Sequence, residues 1–267
     1  MPMNGSCLAK PRFRSLAVAC VAASALAGCM DGQSGSGQSI QSLAGGHPVV
    51  VIFNHGTRDS RVRHACNENR DIPLVLRRLA SAEKIQIHYL CSTATNRSRE
   101  RSYTYDRAIE IAHAIYQYRA KGVPARNIFL MGQSAGAWSA LIAARRYGDR
   151  FNALIGFAPA FHGTRDKWQK RGYRTKNGRV PRMQAIQAHE IAAGRVNALI
   201  YAFPKDNYNT PAQLSFLKKV PGVEFVVTGD CKAGHSTGYT RCFADAEVNR
   251  IRNFIAKQLK NPQLASR

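Results

Sequence analysis

Acidic residues are scarce: 16 Asp and Glu stand against 39 Lys and Arg in 267 residues, a net charge of +23. That imbalance excludes an acidic, self-solvating chain and predicts attraction to anionic partners, while saying nothing about fold. Long apolar runs are missing too. The longest, residues 15–28, is too short to span a bilayer comfortably as a permanent helix. There is no C-x-x-C spacing, and the histidines at 64, 88, 113, 162 and 189 are scattered without ligand spacing, so no metal site is read and no cofactor is called for. No internal repeat is visible, and 21 glycines are about average. What is present is 45% hydrophobic and 9% aromatic residues, which excludes a disordered chain and suffices for a sizeable core.

The N-terminus reads as an address. Lys10, Arg12 and Arg14, with no acid among them, precede the apolar run S-L-A-V-A-C-V-A-A-S-A-L-A-G at 15–28. It ends in Leu26-Ala27-Gly28-Cys29, which resembles the lipobox of bacterial lipoproteins. The resemblance implies cleavage before Cys29, lipidation of its thiol and a membrane anchor in the cell envelope, on the periplasmic face or outer membrane. Met30 in place of an Asp favours the outer membrane. Residues 29–46, rich in Gly, Ser and Gln, read as a flexible tether. The folded domain is expected at 47–267. Residues 1–28 carry three basic residues and no acid, so removing them leaves +20, and the basic excess belongs to the domain.

Cysteine usage suits export. Cys7 and Cys20 leave with the signal and Cys29 takes the lipid, leaving Cys66, Cys91, Cys231 and Cys242. Four cysteines in an exported chain suggest two disulfides, with three pairings allowed.

From residue 47 the pattern alternates. Strands are expected at 47–54, 85–90, 127–131, 153–157, 198–203 and 223–227. Helices are expected at 72–82, 103–121, 135–147, 183–193, 210–219 and 244–259. Such alternation predicts an α/β fold with a mainly parallel sheet and helices on both faces.

Between the third strand and its helix lies Gly132-Gln133-Ser134-Ala135-Gly136, a G-x-S-x-G motif. In that context it means a strained turn lifting a serine hydroxyl above the sheet edge. Here the chain resembles the α/β-hydrolase family, on an esterase-, lipase- or dienelactone-hydrolase-like scaffold, over roughly 47–260. The family order of nucleophile, acid and histidine falls on Ser134, Asp206 after the fifth strand and His235 after the sixth. Asp230, close to His235 in sequence, is an alternative acid. The resemblance implies a Ser-His-Asp acyl-enzyme mechanism, with an oxyanion hole from the amides of Ala135 and of Thr57 in the loop Asn54-His55-Gly56-Thr57. It implies that His55 braces that loop.

In a parallel unit Cys66 and Cys91 lie at the same sheet edge, and Cys231 with Cys242 would clamp the His235 loop. That favours Cys66–Cys91 and Cys231–Cys242, with cross-pairing open. Residues 164–182 carry eight Lys or Arg with one Asp and interleaved Trp168 and Tyr173, where the family commonly inserts a lid. Further clusters at Arg58, Arg61, Arg63 and Arg70 and at Arg97, Arg99 and Arg101 suggest a positive mouth. The partners expected are a small-molecule or lipid-like ester and an anionic envelope surface, with nucleic acid disfavoured by export. A peptidase or thioesterase on the same scaffold, or a non-catalytic envelope-binding module, is the alternative.

Overall fold

The computed structural model describes residues 38–57, 66–94, 103–161 and 179–261. The signal at 1–28, Cys29, the clusters at 58–63 and 97–101 and most of the basic insertion lie outside them.

Six strands form one sheet: β1 (Val50–Asn54), β2 (Gln86–Leu90), β3 (Ile128–Gln133), β4 (Ala153–Phe157), β5 (Ala198–Ala202) and β6 (Val223–Val227). Their order is β2-β1-β3-β4-β5-β6, and every neighbouring pair is parallel. The continuous apolar runs of β1, β3, β4 and β5 are buried throughout, as strands covered on both faces must be. Alternate side chains feed two separate cores. Val50, Ile52 and Leu130 pack with Ile111 and Ile115 of α4 (Tyr103–Ala120) and Leu141 of α5 (Ala135–Tyr147). Val51, Phe53 and Met131 pack with Leu76 of α3 (Leu74–Glu83) and with Ile251 and Ile255 of α7 (Arg241–Leu259). The short helix α2 (Glu68–Asp71) precedes α3. Among the described residues no helix is long and apolar enough to cross a membrane.

Several boundaries differ from the sequence reading, three of them with consequences for packing. The tether read over 29–46 ends early: Ile40 of a short helical turn, α1 (Ile40–Leu43), and Ala44, which caps its end, are fully buried. Ser39 caps that turn, Glu83 accepts the Ile40 amide at 2.9 Å, and Asn127 Nδ2 donates to the Ala44 carbonyl at 3.0 Å. Ile40, Leu43 and Ala44 are helically spaced, but one turn is too short to carry a periodic signal. The helix expected at 210–219 is a 3₁₀ segment at Ser215–Lys219 preceded by turns. Its buried Leu214, Leu217 and Val220 recur every three residues, which suits three residues per turn better than 3.6. The helix expected at 183–193 begins earlier, as α6 (Arg179–Ala192), so the last residues of the insertion read at 164–182 are helical.

Helix α6 is tied to α4 and α5. Gln187 Oε1 accepts from Thr104 Oγ1 at 3.0 Å and from Trp138 Nε1 at 2.8 Å, and Glu190 pairs with Arg146 at 2.6 Å. The crossover carrying the basic segment is thus fixed to α4 and α5 at its C-terminal side.

Candidate active site

At the end of β3 the chain turns sharply into α5. Ser134 sits at the turn with φ 56° and ψ −123°, a region non-glycine residues rarely occupy and one that costs roughly 1–3 kcal/mol. The surroundings impose it. The Ser134 amide donates to the Phe157 carbonyl at 3.0 Å, and its own carbonyl accepts from Trp138 and Ala160 at 3.0 and 3.1 Å. Gly136 is required by contact: a Cβ there would lie 2.0 Å from the Asn54 carbonyl oxygen. The first strand therefore abuts the turn, and the loop that follows it borders the serine.

The loops after β5 and β6 meet Ser134 at the same edge, where all six parallel strands end. His235 Nε2 is 2.8 Å from Ser134 Oγ, and His235 Nδ1 is 2.8 Å from Asp206 Oδ2. A carboxylate only accepts, so Nδ1 carries the proton and Nε2 accepts from the serine hydroxyl. The other carboxylate oxygen, Asp206 Oδ1, accepts from the amides of Tyr208 at 2.7 Å and Asn209 at 3.3 Å. The Asp206 side chain is fully buried and that of His235 largely so. Asp230, the alternative acid, is exposed.

The His235 loop is held from several sides. The disulfides are Cys66–Cys91 and Cys231–Cys242, and the second brackets His235. Gln133 Nε2 donates to the His235 carbonyl at 3.3 Å, and Thr237 Oγ1 donates to that of Cys231 at 2.9 Å. Gly234 has φ 57°, and a Cβ there would sit 2.7 Å from the Lys205 carbonyl oxygen. The acid loop and the histidine loop are thus in direct contact.

The loop after β1 carries Thr57, which is exposed. A Cβ on Gly56 would lie 3.2 Å from Ser134 Cβ, so the loop runs beside the serine. His55 is buried: Nδ1 lies 2.6 Å from the Gly56 carbonyl, and Nε2 accepts from the Ser92 amide at 3.2 Å. Arg107 of α4 is buried against that ring, its guanidinium 3.1 Å from Nδ1 and 3.4 Å from the Gly56 oxygen. Thr57 also hydrogen-bonds Tyr103, whose hydroxyl donates to the Phe161 carbonyl. Burial pushes that phenol up to about 12, so it remains a donor. His55 Nε2 lies 4.0 Å from Cys66 Sγ, but both sulfurs there are spent in the disulfide. Ala135 opens α5, and its amide is among those that no earlier helical carbonyl can satisfy.

Two depressions flank the serine. One of about 240 Å³ is bordered by Gly56, Thr57, Gln133 and the Arg70–Asp71 ion pair. Another of about 430 Å³ opens beside His235. A larger hollow of about 630 Å³ lies by the starts of β5 and β6. It is at the wrong end of the sheet for the chemistry, because ligands of parallel sheets bind where the strands end.

Two contributors escape sequence reasoning. Tyr208 stacks on His235, ring centroids 4.0 Å apart and 27° between planes. Its signal is the Asx turn: an Asp two residues earlier, hydrogen-bonded to the Tyr208 amide. Arg107 lies one helical turn before Ile111 and two before Ile115, so a cation in an apolar stripe marks it as buried with a partner. Tyr208→Ala is expected to lower kcat about tenfold with a smaller change in KM, because the imidazole loses one wall of its slot. Tyr208→Phe should recover most of the loss in steady-state ester hydrolysis.

The family profile described as serine aminopeptidase, S33, matches residues 95–214, a span that includes Ser134 and Asp206. No curated protein matches the chain by sequence. Several solved structures are similar. The monoacylglycerol lipase of Paleococcus ferrophilus is 11% identical with a TM-score of 0.54, the match covering 79% of this chain and 96% of that one. Est1E of Butyrivibrio proteoclasticus, solved with ferulic acid, is 17% identical with a TM-score of 0.52, covering 80% and 90%. DcsB, solved with a substrate analogue, is 14% identical with a TM-score of 0.57, covering 79% and 92%. At such identities the likeness is one of fold. The fold is that of the α/β-hydrolases, and the family match over residues 95–214, less than half of the chain, supports a serine hydrolase.

Proposed function

We propose that the protein cleaves carboxylic esters through an acyl-enzyme, with Ser134 as nucleophile, His235 as general base and acid, and Asp206 as the group that orients and stabilises the imidazolium. The observation that carries this reading is His235 bridging Ser134 Oγ and Asp206 Oδ2 at 2.8 Å on each side. Ser134 Oγ attacks the ester carbonyl as Nε2 takes its proton. The oxyanion forms at the amides of Ala135 and Thr57, at the positive end of α5. His235 then returns the proton to the leaving alkoxide, and the C–O bond breaks to leave Ser134 acylated. Water, deprotonated by the same nitrogen, releases the acid. Each oxyanion donor of this kind contributes roughly 10²–10³ in kcat.

The substrate is read as small or lipid-like and anionic or envelope-associated, in keeping with the net charge. The protein is read as exported and held at the envelope through a lipid on Cys29. A peptidase reading is favoured by the description of the matching family, the serine aminopeptidases.

A fluorophosphonate probe should label the purified protein at Ser134. p-Nitrophenyl esters of rising acyl length should turn over faster than aminoacyl p-nitroanilides. Faster cleavage of the anilides would move the reading to the peptidase, and a folded, oxidised protein that takes no label would move it to the binding module. Radiolabelled palmitate should enter the full chain in a bacterial host and be lost with Cys29→Ser. Equal labelling of that variant would remove the anchor.

A further inference from the structure

The two depressions beside Ser134 differ in chemistry. The one at the oxyanion loop contains a neutralised pair, Arg70 with Asp71 at 3.3 Å. The one beside His235 is lined by Lys205, Asn207, Tyr208, Lys232 and Ser236, with no carboxylate among the described residues of its wall. Both lysines are exposed, and among the described residues neither enters an ion pair. Two acids are near in sequence. Asp206 is buried and taken up by His235 and two amides. Asp230 is exposed, two residues before Lys232, and outside the wall.

The backbones bearing these cations are rigid. Lys205 directly precedes Asp206, and its carbonyl packs against Gly234. Lys232 follows Cys231, which is bonded to Cys242. Both lysines therefore line the depression from backbone that is tied to the His235 loop.

Placement relative to the reaction follows from proton transfer. The nitrogen that protonates the leaving oxygen must lie within hydrogen-bond reach of it, so the alcohol half of the ester departs on the His235 side. We propose that the depression lined by Lys205 and Lys232 is a subsite for an anionic group, carboxylate, sulfate or phosphate, carried on the alcohol half of the substrate. This rests on the hydrolase reading above. It narrows the substrate from any anionic ester to one whose charge lies on the leaving side.

The test compares two acetate esters with the same acyl group, those of 4-hydroxybenzoate and of 4-hydroxybenzamide. The first carries a carboxylate on its leaving phenol and the second does not. In the full chain the ratio of kcat/KM, charged over neutral, is expected to fall about tenfold in the double variant Lys205→Gln/Lys232→Gln. It should persist in the double Arg variant at those positions, and fall in the parent as salt rises. Monophenyl succinate, with its carboxylate on the acyl half, should show a much smaller response. Fluorophosphonate labelling of each variant verifies that Ser134 is still competent.

An unchanged ratio, with the neutral ester still hydrolysed, overturns the subsite and leaves the hydrolase reading standing. An equal response to monophenyl succinate also overturns it, since the lysines would then attract any anion without regard to side. Failure of both acetates together with absent labelling overturns the hydrolase reading, and the subsite with it.

Discussion

Replacing Ser134 by alanine should lower kcat on p-nitrophenyl acetate by roughly 10⁴–10⁶-fold and abolish fluorophosphonate labelling. The substitution removes one oxygen and little else. The turn is fixed by the backbone bonds of Ser134 to Phe157, Trp138 and Ala160 and by the closeness of Gly136 to Asn54, none of which uses the hydroxyl. Alanine meets the same positive φ as serine and fits the same space, so the thermal midpoint should change little. The residual rate would come from the oxyanion donors and the bound geometry alone. His235→Ala should cost nearly as much. The double variant should cost no more than either single one, because Nε2 and Oγ act on one proton. Labelling that survives in the Ser134→Ala protein would show a different nucleophile. Additive losses in the double variant would show that the 2.8 Å contact is not the working one.

Much of the fold is legible because the strands obey a simple constraint. β1, β3, β4 and β5 are buried on both faces, so their sequences are unbroken apolar runs, and the alternation between the two cores is hidden inside them. Legibility fails where contact rather than periodicity decides. Ile40 is buried because Glu83 and Asn127 capture the backbone around it, and no local pattern announces that. The segment before Lys219 is 3₁₀ rather than α because its apolar residues face the sheet at every third position. For the site, chain order places Ser134, Asp206 and His235 each beyond a strand, and parallel topology carries those loops to one edge. What chain order cannot supply is which carboxylate reaches the ring, since Asp206 and Asp230 both follow strands. Nor can it supply the stacking of Tyr208, which depends on two loops meeting.

Asp206→Asn should lower kcat on the same ester by about 10⁴-fold, while Asp230→Asn should leave it within about twofold. The difference follows from donors and acceptors. Asp206 Oδ1 accepts two backbone amides, from Tyr208 and Asn209, so an asparagine must place its carbonyl oxygen there. Its NH₂ group then occupies the position of Oδ2, facing His235 Nδ1. An NH₂ only donates, so Nδ1 is forced to become the acceptor and the proton moves to Nε2. That nitrogen now cannot take the proton from Ser134 Oγ, and the base is lost with the geometry almost unchanged. Asp206→Ala imposes no tautomer, so it should retain at least as much activity as the asparagine variant despite removing more atoms. The loss should fall on kcat rather than KM, because the carboxylate is buried behind the imidazole and out of the substrate's reach. Steady-state kinetics on the three variants would decide it. A larger defect from Asp230→Asn than from Asp206→Asn would assign the acid to the exposed residue and break the link between this geometry and the reaction. An asparagine variant clearly more active than the alanine one would show that the side chain works by holding the ring in place and not by fixing the tautomer.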